Sequence, residues 1–148
     1  MPVSILIHSC FSVAAFIVSF IVFWQAKGTK IHVFWGRIFW LSMFASAFSS
    51  FFIYEQKWSA IHIISSLVIY WLFRAVYVVR FKPKNWLFIH ASSMGSAYIA
   101  IIIAGVGVLV RKVIIPGDVN AGFLASSIVA PPCIYFLNKL TARYKIKS

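Results

Sequence analysis

Five apolar runs, at 3–25, 31–54, 58–81, 85–110 and 119–138, account for most of this 148-residue chain. Each is about as long as the roughly 20 residues that a helix needs to cross about 30 Å of hydrocarbon. The chain is 62% hydrophobic and 18% aromatic, with a mean hydropathy of +0.93. A soluble domain of this length has too little interior to hide so much apolar surface. The expectation is therefore a single all-α integral membrane domain covering 1–148.

Connections at 26–30, 55–57, 82–84 and 111–118 are short, and short links make consecutive helices antiparallel neighbours. The first four runs thus predict a transmembrane up-and-down four-helix bundle. The fifth is expected to be a kinked, peripheral transmembrane helix. It carries Asn120 near its start and Pro131-Pro132 in its interior, where each proline removes a backbone donor. Pro116-Gly117-Asp118 before it is a turn signal. The opening residues Met1 to Ser4 lack a basic start, and no small-residue cleavage site precedes Trp24, so the first run reads as a retained helix.

A formal charge of +12 does not indicate a nucleic-acid partner, because the basic residues collect in the connections and the tail. With the N-terminus outside, Lys27, Lys30, Arg37, Arg74, Arg80, Lys82, Lys84, Lys139, Arg143, Lys145 and Lys147 lie on the cytoplasmic side. Lys57, Arg111 and Lys112 lie opposite, an 11 to 3 bias that predicts N-terminus out and C-terminus in. Trp24, Trp35, Trp58 and Trp86 fall at run ends, where interfacial rings gather. The basic tail reads as a topology anchor with affinity for anionic lipid. Glu55 and Asp118 are the only acids, which excludes mechanisms built on carboxylate pairs. Cys10 and Cys133 sit at different depths and are expected to be buried, unpaired thiols.

Against this background four histidines stand out, each near the end of a different run: His8, His32, His62 and His90. Ionisable residues inside a membrane are costly and favour a functional reading. At about 1.5 Å of rise per residue, His8 and His62 lie roughly 6 to 8 Å below one face. His32 and His90 lie near the other. His8, Ser12, Ala15 and Ser19 form one stripe of small or polar residues, and His90, Met94, Ala97 and Ala104 another. Gly95, Gly105 and Gly107 thin the fourth helix further, and small residues mark helix–helix contacts in lipid. His62 is followed by Ser65 and Ser66, and His32 by Gly36, Phe39 and Met43.

Imidazole pairs from facing helices are the usual axial ligands of b-type haem. His8 with His62 would hold an outer haem b, His32 with His90 an inner one, and the guanidinium of Arg37 suits the inner propionates. Such a protein would carry electrons across or into the bilayer as a component of a transmembrane oxidoreductase, with a quinone or another redox partner. Tyr98 and Ser96 are compatible with a quinone headgroup.

Plainer readings use the same residues. His32 and His90 would also serve as interfacial groups bonded to backbone or headgroups, and His8 and His62 as partners of one another or of nearby serines. On those readings the chain is a non-catalytic membrane subunit or scaffold, within a homo-oligomer or a larger complex. Zn or Cu bound by the four imidazoles, or a small transporter, is a third reading, although catalytic zinc usually takes three protein ligands.

The segment His32-Val-Phe-Trp-Gly-Arg37, opening an apolar helix, resembles a His-x-x-x-Gly-Arg element in an uncharacterised family of bacterial integral membrane proteins. The stretch His90-Ala-Ser-Ser-Met-Gly-Ser-Ala-Tyr-Ile-Ala100 and the position of His8 resemble that family too, over most of 3–138. The likeness implies a four-helix membrane protein of the bacterial inner membrane in which His8, His32, Arg37 and His90 matter. His62 is not matched by that pattern. Separately, the histidine arrangement looks like that of two-haem cytochromes b, without a matching ascorbate-binding motif.

Overall fold

A computed structural model describes residues 3–53 and 60–145. The end of the second expected run, the start of the third, Glu55, Lys57, Trp58 and Lys147 lie outside these residues. The chain is all-α. Its helices are α1 (Val3–Trp24), α2 (Lys30–Ser49), α3 (Ala60–Phe81), α4 (Trp86–Leu109) and α5 (Val119–Ala142). A 3-10 turn, Ser50–Phe52, extends α2, and a π turn, Val110–Ile114, extends α4. All five helices are long and apolar enough to cross a membrane, so this is an integral membrane protein. The extensions lengthen two spans, to Lys30–Phe52 and Trp86–Ile114.

Helix boundaries follow local chemistry. Thr29 caps α2, its Oγ1 accepting the His32 N–H at 3.1 Å, after the left-handed Gly28. Asp118 caps α5, with Oδ1 accepting from the N–H groups of Asn120 at 2.8 Å and Ala121 at 3.1 Å. A carboxylate also suits the positive end of the helix dipole. Gly117, at φ +87°, supplies the turn that the Pro-Gly-Asp segment predicts. Between α3 and α4 the turn uses two left-handed residues that are not glycine, Lys82 at φ 47° and Asn85 at φ 64°. Lys82 follows the last helical residue of α3, the usual place for a left-handed cap, and Pro83 then blocks continuation.

Two compact units divide within α3, at Leu72 and Phe73. In the first, α1 and α2 run antiparallel, since His8 and Ser12 near the start of α1 meet Ser46 near the end of α2. The first half of α3 joins them through the Trp40 indole N–H, which donates to the Leu72 carbonyl at 3.1 Å, and through Ser65. On α3 the buried positions His62, Ser65, Val68, Leu72, Ala75 and Val78 recur at three- and four-residue steps, a single inward face.

In the second unit α4 and α5 are antiparallel and very close. A Cβ on Gly122 would meet the Gly107 carbonyl oxygen at 2.7 Å, and one on Gly95 would collide with Leu137. Ser126 Oγ reaches the Ile103 carbonyl across the helices at 3.0 Å. The fifth helix, expected at the periphery, is the least buried of the five and packs on α4 by close backbone approach at glycine. It runs unbroken through Pro131 and Pro132, whose missing N–H groups deprive the Ser127 and Ile128 carbonyls of their helical donors. The α4 stripe is buried at Ala97, but Ala104 and Gly105 face outward, and Gly107 makes the closer approach. Cys10 is exposed, where a buried thiol is expected, and Cys133 is half-buried; both are free.

Candidate functional site

The α1 stripe points inward as its spacing predicts: Ala15 and Ser19 are buried, and His8 and Ser12 half-buried. His8 Nδ1 lies 2.9 Å from the backbone carbonyl of Ser46 on α2. A carbonyl oxygen can only accept, so Nδ1 is the donor and Nε2 is the ring nitrogen left for a second partner. Ser12 Oγ sits 3.5 Å from that Nε2, a long contact, and 2.6 Å from Ser46 Oγ.

One turn on, the end of α2 addresses α3. Ser50 Oγ donates to the Ala47 carbonyl at 2.7 Å and lies 2.6 Å from Ser65 Oγ. The buried ring of His62 packs on Phe51, with centroids 5.6 Å apart. His8 and His62 therefore both contact the segment from Ser46 to Phe51, which spans only about 7 to 8 Å of helix rise. The immediate neighbours are Ser46 and Ser12 for His8, and Phe51 for His62.

This seam has members that sequence reasoning passed over. Ser42, Ser46, Ser49 and Ser50 are all buried, on one face of α2 and its extension. Their spacing of four, three and one is a legible helical stripe, hidden among Phe and Ala and without a histidine to mark it. Buried hydroxyls in lipid need partners, and for Ser46, Ser49 and Ser50 neighbouring carbonyls and other serines supply them; Ser49 Oγ, for example, donates to the Ser46 carbonyl at 2.9 Å.

The other two histidines belong to different units and are described separately. His32 lies in the first turn of α2, about 21 Å along that helix from Ser46, so the first unit carries histidines at two depths. Gly36, one turn beyond it, has open space where a Cβ would stand. Phe39 and Met43 are buried on the same helix, at 3% exposure each. Arg37 falls on the opposite face, with exposed Phe34 and Leu41, and makes no hydrogen bond or ion pair among the described residues. Its side chain is thus presented outward rather than toward the buried face.

In the second unit, His90 repeats the arrangement at His8. Its Nδ1 lies 3.1 Å from the Ala75 carbonyl on α3, which again leaves Nε2 as the lone-pair nitrogen. Ser93, one turn further along α4, is 1% exposed and its hydroxyl has no hydrogen-bond partner among the described residues. No three His, Cys, Asp or Glu side chains come together among the described residues.

What the geometry defines is a class: a helical membrane protein in which two histidines, His8 and His90, are oriented by backbone carbonyls of neighbouring helices. No family model matches the chain, and no curated protein or solved structure gives a match.

Proposed function

We propose that the protein is a membrane-embedded electron carrier of the b-type cytochrome kind, with haem held near both faces of the bilayer. The observation that carries this reading is the shared geometry of His8 and His90. In each, a carbonyl from another helix orients Nδ1, so that Nε2 is the ring nitrogen on offer; in His8 its neighbour is the Ser12 hydroxyl at a long 3.5 Å. Metal-ligating histidines are oriented in this way, through a hydrogen bond from the second ring nitrogen. His62 at the level of His8 is the second imidazole of the outer pair. His90, oriented in the same way within its own unit, is the imidazole offered to the inner haem.

Haem, when bound, supplies one-electron redox chemistry at iron. The protein's share is to fix the imidazoles, exclude water and keep charge away. The absence of acids within the described spans suits that role, because a carboxylate beside the ring would bias it toward the imidazolium form. Axial ligation needs two imidazoles per iron, whereas a zinc or copper site of ordinary type needs a larger cluster. That difference favours haem over Zn or Cu. The charge bias supports an orientation with N-terminus out and C-terminus in, and the family resemblance a bacterial inner membrane.

Visible spectra of the purified protein, oxidised and dithionite-reduced, test this reading. Sharp reduced bands of six-coordinate haem are expected, diminished in His8→Ala and in His90→Ala. A second reading, a structural subunit, is favoured by the serine seam, which ties α1, α2 and α3 together without any cofactor. A colourless protein after expression with ample haem decides for that reading.

A further inference from the structure

We propose that one end of the second unit is a binding site for anionic phospholipid headgroups. Antiparallel α4 and α5 bring the start of α4 to the end of α5, as the contact of Gly95 with Leu137 shows. That end therefore collects Arg80, Lys82 and Lys84 from the α3–α4 turn with Lys139, Arg143 and Lys145 from the end of α5, all exposed. Asp118, the one acid among the described residues, caps the opposite end of α5. Among the described residues, no carboxylate stands at that end to neutralise the field of the six cations.

The sequence assigns turn and tail to one side, whereas the fold brings the start of α4 to the end of α5 and so joins their cations. That turn is also held in shape. Left-handed backbone at Lys82 and Asn85 brackets Pro83, and the Trp86 N–H returns to the Pro83 carbonyl at 3.0 Å. Lys82 Nζ stands 6.0 Å from the Trp86 ring, and the Arg143 guanidinium 4.9 Å from the Tyr144 ring.

A lipid fits better than an acidic protein, because exposed apolar side chains lie directly beside the cations. Phe81, Leu87 and Leu140 are each about half exposed or more. Trp86 and Tyr144 add the amphipathic rings that settle at headgroup depth. A ligand matching both features has an anionic head and hydrocarbon tails. The proposal does not depend on haem.

The test uses the full-length protein in nanodiscs of phosphatidylcholine doped with phosphatidylglycerol, with native mass spectrometry counting the lipids retained. The wild type is expected to keep phosphatidylglycerol over phosphatidylcholine. Lys84→Gln and Arg143→Gln should each lower that preference about fivefold, the effect of one cation near an anionic surface. Lys82→Gly should lower it as well while relaxing the left-handed backbone, so misfolding would not account for the loss. Arg111→Gln with Lys112→Gln, at the opposite end, should leave it unchanged. Equal retention of both lipids by the wild type would overturn the proposal, and so would an equal loss in the Arg111/Lys112 variant. Displacement of the lipid by inorganic phosphate, or binding of polyglutamate without a lipid preference, would also overturn it.

Discussion

Among single residues, backbone anchors and side-chain anchors respond differently to substitution. The Ser46 carbonyl holds His8, and that carbonyl survives any side-chain change. Ser46→Ala should therefore retain the orientation of His8 while losing the hydroxyl contact with Ser12. The expected cost is about 0.6 kcal/mol, the average for interhelical hydrogen bonds in membranes, measured by unfolding in mixed micelles. His8→Ala should instead abolish the property that His8 serves, with helix content unchanged by circular dichroism. Asp118→Ala removes two capping bonds and a favourable dipole contact; a loss of about 1 kcal/mol is expected, and Asp118→Asn should recover most of it. Residue identities were partly legible before any coordinates: the four histidines declare themselves in a chain of hydrocarbon. The α2 serines did not, because serine is common in membrane helices and only their shared burial marks them as a set. Ser93 was equally silent, since a hydroxyl in mid-helix ordinarily bonds the preceding turn.

At the scale of elements, helix number and approximate limits follow from run length, and the caps at Thr29 and Asp118 from their side-chain chemistry. What pattern alone did not yield was partnership. The fifth run reads as peripheral because its prolines and Asn120 dilute its hydropathy, yet Gly107 and Gly122 bring α4 and α5 into backbone contact. A glycine pair on two helices is invisible as a pair until the helices are aligned, since α4 carries three glycines and only some face α5. Gly122→Val should force these helices apart, because the obstructing atom is backbone oxygen and cannot swing aside. Overpacking of this kind costs about 1 to 3 kcal/mol, seen as a lower melting temperature in detergent. Lys82→Gly should act in the opposite direction, relieving left-handed strain and raising stability by up to about 1 kcal/mol.

For the whole molecule, composition alone dictates a membrane protein, and five helices are long and apolar enough to cross the bilayer. The proposed orientation predicts that Lys27→Cys is shielded from an impermeant thiol reagent in intact cells, and that Arg111→Cys is labelled, in a background lacking Cys10 and Cys133. Reversed labelling would invert the topology without touching the histidine geometry. The central claim, that carbonyl-anchored imidazoles offer their Nε2 lone pairs to iron, is tested most directly by counting haem per chain as the pyridine haemochrome. Two haems are predicted in the wild type, one in His8→Ala, one in His90→Ala and none in the double variant. A wild-type protein that stays haem-free when haem is abundant, or haem content indifferent to both substitutions, would contradict it.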